Sequence, residues 1–253
     1  MNESTALLDD LRRLAGRHAS SQGDDRQPDA WLANGLPHGQ LHEIFAAERD
    51  DGPGAAGFAV SLAVAARATP MLWLRMEAAE RSVGRLHAGG LHELGLLPDA
   101  LLLAVVPDEA ALLRAAADAT RCAGLGTVLV EAWGRAPGID LTATRRLMLA
   151  AEASGVTVLM LRADARPVPS AAATRWQVAS VPSAALEADA PGLPTFAIEL
   201  LRRRGGPAGA RWRVEWDRDA QSFRAAPLSG AGVPVAVDRA AALDPPAPVR
   251  RTG

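Results

Sequence analysis

The chain has 253 residues, of which 49% are apolar and 22% are charged, and all 27 of its basic residues are arginine. Because lysine is absent, a Schiff-base mechanism, a pyridoxal-phosphate anchor and the lysine of a Walker loop are excluded. The apolar share excludes disorder of the whole chain, and the formal net charge of −2 argues against a strongly electrostatic nucleic-acid binder.

The single cysteine and the N-terminus bear on the compartment. Cys122 lies in an apolar stretch that favours a helix, which indicates a small buried side chain in a reducing environment. The polar, acidic N-terminus predicts no secretory signal, and no apolar run approaches the roughly 20 residues of a membrane span. We therefore expect a cytoplasmic protein with no membrane partner.

The chain opens with a predicted amphipathic helix. Leu7, Leu11 and Leu14 recur at helical spacing after Ser4, which can cap the helix, and a polar run over 20–29 follows. Such a helix either packs on the core or binds a partner, and packing is the favoured alternative. We assign 1–34 to this helix and its linker, 35–225 to a core and 226–253 to a flexible tail rich in alanine and proline.

Strands and helices alternate from Gly35 onward. The predicted strands cover 41–45, 71–74, 101–106, 127–131 and 156–161, and the predicted helices cover 58–67, 79–88, 109–123 and 141–154. Near-continuous apolar strands separated by helices of about three turns are typical of a parallel sheet covered on both faces. The fold class is therefore α/β.

The last part of the core has a different pattern. Three further strands are predicted over 176–181, 196–201 and 211–216, and the last two flank a turn-rich connector over 203–209. We expect these two strands to form an antiparallel hairpin.

A glycine-rich turn is predicted between the first core strand and the next helix, where a phosphate-binding loop belongs. Gly52 and Gly57 match the two glycines of G-x-x-x-x-G-K-[ST], with Gly54 between them, but Phe58 stands at the lysine position and Ala59 at the position of the magnesium-binding hydroxyl. A structural turn without nucleotide is favoured over a vestigial nucleotide site, and hydrolysis is favoured least.

Three glutamates follow or end the neighbouring strands. Glu131 ends the strand over 127–131, which resembles a Walker B strand, so a vestigial nucleotide site would include it. Glu77 and Glu80 follow the strand over 71–74, where a RecA-type ATPase places its water-activating glutamate. Acidic residues in the first turn of a helix are the favoured interpretation of that pair.

No other catalytic pattern is present. The five histidines and one cysteine lack metal-ligand spacing, and a G-x-S-x-G nucleophile elbow is absent. We therefore assign no catalytic residue, no metal and no cofactor. Arg202, Arg203 and Arg204 lie in the predicted hairpin, which resembles that of RecA-superfamily helicases, where basic residues two apart reach a neighbour's nucleotide. A solvated turn, or a basic surface for protein or nucleic acid, is favoured for them.

The run GLPHGQLHEIF over 35–45 resembles the entry into the RecA core, and the similarity continues through 70–74, 108–110, 128–133 and 196–217. The resemblance covers 35–224. A RecA-like core with an erased phosphate loop and a Pro-rich tail is similar to the ImuA family of the bacterial mutasome. A recombinase has a long glycine-rich loop where this chain has only 162–175, so strand exchange is not expected.

This resemblance implies a non-catalytic adaptor in damage-induced translesion DNA synthesis and mutagenesis. It implies binding to an inactive Y-family polymerase homologue of the ImuB type, contact with RecA and an error-prone C-family polymerase, and weak or indirect association with DNA at the nucleoid. The predicted contact elements are the leucine helix, the arginine hairpin and the tail of a monomer or small oligomer. The alternatives are an active RecA-type DNA-dependent ATPase that uses Glu77 or Glu131, and a damage-induced cell-division inhibitor.

Overall fold

A computed structural model describes residues 35–226 of the chain. The predicted helix with Leu7, Leu11 and Leu14 and the predicted tail after Pro227 lie outside the described residues. None of the helices between 35 and 226 is long and apolar enough to cross a bilayer.

The described residues form strands and helices that alternate as far as the fifth strand. The strands are β1 Leu41–Ala46, β2 Met71–Met76, β3 Leu101–Val106, β4 Thr127–Trp133, β5 Thr157–Ala163, β6 Thr174–Ser180, β7 Thr195–Arg203, β8 Arg211–Asp217 and β9 Ser222–Ala225. The helices are α1 Gly52–Ala65, α2 Glu77–Val83, α3 Ala88–Glu93, α4 Glu109–Thr120 and α5 Leu141–Ser154.

All of these strands belong to one sheet in the order β3-β2-β4-β5-β1-β6-β7-β8-β9. The first six strands in this order are parallel to one another. Strands β7, β8 and β9 follow, each antiparallel to the strand before it. The α/β class and the antiparallel hairpin of β7 and β8 are therefore confirmed. Strand β9 was missed by the sequence analysis because it is only four residues long.

Helices cover both faces of the sheet. On one face α1 packs against the sheet and is buried on nearly every side, which explains why its residues are apolar all round rather than on one stripe. On the other face α4 and α5 pack against the parallel strands, with Leu112 and Leu147 among their buried residues. Side-chain caps begin both of these helices: Asp108 accepts from the Ala111 amide, and Asp140 accepts from the Ala143 amide.

Three details correct the sequence predictions. The helix predicted over 79–88 is two short helices, α2 and α3, because α2 ends at Gly84 with φ of +86°. Cys122 is exposed and lies beyond the last residue of α4, so the prediction of a buried helical thiol is wrong. Strand β3 is not covered on both faces as predicted. It is an edge of the sheet, and its Leu102 and Leu103 are 56% and 45% exposed.

Candidate functional site

The position of interest lies at the carboxyl ends of β1, β2 and β4, beside the first turn of α1. In open α/β sheets, ligands bind in the crevice outside the carboxyl ends of the parallel strands. Strand β1 lies next to β5 in the sheet, and β4 and β2 follow, so the chain crosses between non-adjacent strands here. The glycine-rich segment and Glu131 both map to this edge, as the sequence pattern predicts.

The glycine-rich segment itself is helical. Helix α1 begins at Gly52 and includes Gly54, Gly57 and Phe58, so the predicted turn over 52–57 and the predicted helix start at residue 58 are both wrong. Pro53 explains part of this difference because proline is favoured in the first turn of a helix. The backbone amides that would line a phosphate loop are therefore part of a helix.

The first two glycines permit close packing. A Cβ atom on Gly52 would overlap the indole of Trp133, and one on Gly54 would overlap the hydroxyl of Ser180. The carboxylate of Asp51, which precedes the helix, accepts from the Ser180 amide at 2.8 Å. Side chains and backbone of the protein thus lie directly against the first turn of α1.

Phe58 belongs to the hydrophobic core. It is fully buried, and its ring centroid lies 5.2 Å from that of Phe223 and 5.7 Å from that of Phe196. Trp216 extends this group, with its centroid 4.9 Å from that of Phe223. The residue at the lysine position of the motif therefore joins α1 to the antiparallel strands β7, β8 and β9.

The carboxylate of Glu131 is enclosed and receives four polar contacts. Trp73 Nε1 donates to Oε2 at 2.7 Å, and Trp133 Nε1 donates to Oε1 at 2.6 Å. Arg75 forms an ion pair through Nε, 2.8 Å from Oε2, and donates from Nη2 to Oε1 at 3.1 Å. The side chains of Arg75 and Glu131 are only 2% and 3% exposed. Oε1 thus accepts two hydrogen bonds, and Oε2 accepts one and lies in ion-pair contact with Arg75 Nε.

This arrangement follows from the sheet register. Arg75 on β2 lies opposite Glu131 on β4, and Trp73 and Trp133 share their face of the sheet, because side chains alternate between faces along a strand. Sequence analysis assigned Glu131 to the site but missed Arg75 and the two tryptophans. The signal was present as Trp-x-Arg on one apolar strand and Glu-x-Trp on another.

The other acidic candidates lie on the surface. Glu77 and Glu80 are in the first turn of α2, which confirms the favoured interpretation of these residues. The Glu77 carboxylate is half exposed and pairs with Arg81 Nη1 one turn later at 3.2 Å. This contact is an ordinary exposed helix pair.

The arginine hairpin lies at the opposite end of the strands from Glu131. Because β7 runs antiparallel to β6, the turn after β7 lies where the parallel strands begin. Arg202 Nη1 donates to the carbonyls of Ser170 and Ala172 at 3.0 and 3.2 Å, and Arg204 lies 3.6 Å from the carboxylate of Glu152. Arg203 has further contacts. The structure therefore does not bring these arginines together with Glu131.

His42 is a structural residue of β1. It is fully buried between the Thr174 hydroxyl, 2.8 Å from Nδ1, and the Pro37 carbonyl, 3.1 Å from Nε2. Burial lowers its pKa to about 4, because desolvation disfavours the imidazolium, although the bond to Pro37 acts in the opposite direction. Within 35–226, no three His, Cys, Asp or Glu side chains are grouped so that they could hold a metal ion.

Comparison with solved structures identifies the architecture. The chain is similar to the RadB recombinase with a TM-score of 0.51 and 13% sequence identity, over 78% of this chain and 96% of that one. No protein-family profile and no curated protein sequence matches the chain. The protein has a RecA-like recombinase fold, and at this level of identity the likeness concerns the fold alone.

Proposed function

We propose that this protein is a non-catalytic RecA-like adaptor in damage-induced translesion DNA synthesis, and that it binds an inactive Y-family polymerase homologue. The RecA-like fold supports the superfamily, and the resemblance to the ImuA family supports the pathway and the partners. RecA itself and an error-prone C-family polymerase are the further partners in this proposal. The observation that carries it is the enclosure of Glu131 by Arg75, Trp73 and Trp133.

A catalytic glutamate or magnesium ligand needs a free oxygen that faces the substrate. Both oxygens of Glu131 are used by donors of the protein, and any new role would have to break a buried ion pair. The first turn of α1 lies against Trp133 and Ser180, and Phe58 is part of the core. These features favour a fold that is used for contacts over one that turns over nucleotide.

The edge strand β3 supports a protein-binding role. Leu102, Leu103 and Val105 are 56%, 45% and 39% exposed, and among the described strands β3 pairs only with β2. Nearby Leu97 is 54% exposed. Natural proteins rarely leave an apolar edge strand open, because its free backbone groups and apolar side chains attract another polypeptide.

The proposal is tested by co-purification of the full chain with the Y-family polymerase homologue. We expect a stable complex that the double substitution Leu103→Arg and Val105→Arg weakens at least tenfold. The matched control is Leu186→Arg, because Leu186 is 58% exposed but lies between β6 and β7. Absence of any complex with the unmodified chain would contradict the adaptor function.

The same preparation separates the alternatives. An active RecA-type ATPase would release phosphate in the presence of single-stranded DNA. A damage-induced cell-division inhibitor would instead bind the tubulin-like division protein and block its polymerisation. Either activity, without a polymerase complex, would replace the adaptor proposal.

A further inference from the structure

A cavity of about 640 Å³ lies beyond the carboxyl ends of β4 and β5. The segments over 134–141 and 164–169 form its walls, and Arg162 of β5 lines it from the sheet. Arg162 alternates along β5 with Leu161 and Ala163, which pack on the α1 side, so it points to the opposite face. This space, which we name the Arg162 cavity, is therefore separate from the Glu131 cluster.

Arg162 is a buried cation whose hydrogen bonds are incomplete. The residue is 3% exposed, and its Nε and Nη1 atoms have no hydrogen-bond acceptor among the described residues. Its guanidinium carbon lies 5.8 Å from the centroid of the Phe45 ring. Burial lowers the pKa of Arg162, and the nearby carboxylates of Glu43 and Glu109 raise it, but arginine remains a cation in proteins.

The carboxylates near Arg162 do not complete its hydrogen bonds, and Glu43 Oε1 is itself buried without a donor among the described residues. Glu43 Oε2 accepts from Arg175 Nε at 2.8 Å and from the Ser170 hydroxyl at 2.7 Å. Glu109 Oε1 accepts from the amides of Gly138 and Ile139, at 2.5 and 3.1 Å, and so holds one wall of the cavity. A buried charged donor that lacks an acceptor destabilises the folded protein more than a neutral one does. An acceptor supplied by a ligand would therefore stabilise Arg162.

The remaining charges of the cavity favour an anion. Of its two acidic residues, Asp140 caps α5, and Asp164 pairs with Arg49 Nη1 at 2.6 Å. Arg135 and Arg166 also line the cavity, both are exposed, and neither forms an ion pair within 35–226. Asp140 keeps its negative charge, since it accepts from a neutral amide, but three arginines line the cavity against this one acid without an ionic partner. The net charge of the cavity lining is therefore positive.

The walls favour an apolar group beside the anion. Ala136 and Ile139 are buried at the cavity, while Leu141 and Val168 line it with 52% and 40% of their surface exposed. No aromatic residue lines it, so the stacking platform that holds unpaired bases is missing. We propose that the Arg162 cavity binds an acidic peptide segment, with an aspartate or glutamate carboxylate on Arg162 and an adjoining apolar side chain between Leu141 and Val168.

This proposal does not depend on which protein carries the peptide, and it is tested with defined probes. Fluorescence anisotropy of the full chain is measured with a fluorescein-labelled pool, Ala-Xaa-Asp-Xaa-Ala, in which each Xaa is leucine, valine or methionine. A pool with asparagine in place of aspartate is the matched probe, and labelled dodecathymidylate is the nucleic-acid probe. We expect the aspartate pool to bind at least about tenfold more tightly than the asparagine pool, as a charge-assisted hydrogen bond requires.

Two variants locate the binding. Arg162→Met keeps the length and apolar packing of the side chain and should remove the preference for aspartate. Leu141→Asp adds a repulsive charge at the first residue of α5, where an acid is tolerated, so the fold should stay intact. The affinity for the aspartate pool should fall at least fivefold. The control Arg114→Gln changes an exposed arginine on α4 and should leave binding unchanged.

Three results would overturn the proposal. The first is equal affinity for the aspartate and asparagine pools, or no binding of either. The second is a preference for the aspartate pool that remains in a folded Arg162→Met variant. If that variant does not fold, unchanged binding of the aspartate pool by Leu141→Asp has the same meaning. The third is tighter binding of dodecathymidylate that the same variants abolish, which would assign the cavity to nucleic acid.

Discussion

At the scale of single residues, Arg75 determines what Glu131 can do. An acid at the end of an apolar strand is compatible with metal binding, base catalysis or a structural ion pair, and the sequence does not distinguish these roles. The structure places a guanidinium directly opposite this carboxylate on the neighbouring strand, with an indole at each oxygen. Glu131 is therefore a member of a buried polar cluster that joins β2 to β4.

Glu131→Gln is expected to destabilise the protein by about 3 kcal/mol, because it leaves the buried cation of Arg75 without its counter-charge. Adding Arg75→Met should recover a large part of that loss. Urea denaturation measures both effects. Glu77→Gln is the matched control, since its exposed pair with Arg81 is worth less than about 1 kcal/mol. Equal losses for Glu131→Gln and Glu77→Gln would show that the buried ion pair contributes no more to stability than the exposed one.

His42 gives a pH-dependent contribution to stability. The unfolded chain takes up a proton near the ordinary pKa of 6.5, whereas the folded protein does so only near 4. The unfolded state therefore binds more protons between these values, and the free energy of unfolding should fall by about 2 kcal/mol from pH 7 to pH 5. In His42→Gln this part of the fall should vanish, while the exposed His38→Gln should retain it. An unchanged pH profile in His42→Gln would contradict this assignment.

At the scale of elements, α1 has the glycine spacing of a phosphate-binding loop but forms a helix. Its glycines match a phosphate loop in spacing, but the backbone is helical from Gly52 onward. Gly52 is needed because the Trp133 indole lies against it, whereas a Cβ atom on Gly57 would meet only Leu94 Cδ1, at an ordinary 3.7 Å. Packing therefore requires a glycine at position 52 but not at position 57.

The same substitution should have opposite effects at these two glycines. Gly57→Ala is expected to raise the free energy of unfolding by about 0.5 to 1 kcal/mol, because alanine is the better helix former. Gly52→Ala should lower it by about 2 kcal/mol, because the new methyl group displaces Trp133. Thermal and urea unfolding of both variants provide the measurement. Destabilisation by Gly57→Ala would indicate a loop conformation instead of a helix at this position.

Element prediction succeeded where one physical signal dominated. Helix α5 was predicted with the observed ends because Asp140 caps it and Gly155, with φ of +80°, ends it. The glycine-rich segment failed because local composition favours a turn, while burial against β1, β5 and β6 favours a helix. The partners of Glu131 could not be predicted without the sheet register, and the exposure of β3 could not be predicted without the strand order.

At the scale of the whole molecule, the RecA-like fold is retained while the space beside α1 is filled by the protein's own side chains. Trp133 lies against Gly52, Phe58 joins the aromatic core of the antiparallel strands, and the Glu131 carboxylate is enclosed. Two features of residues 35–226 that remain open to a partner are the apolar edge strand β3 and the Arg162 cavity. This distribution favours a protein that works through contacts.

The most direct test of this account is phosphate release from magnesium ATP by the purified full chain, with and without single-stranded DNA. The account predicts the same rate as buffer under both conditions, and no change in Glu77→Gln, which leaves the fold intact. DNA-stimulated release that co-elutes with the folded protein, and that Glu77→Gln or Glu131→Gln abolishes, would contradict it.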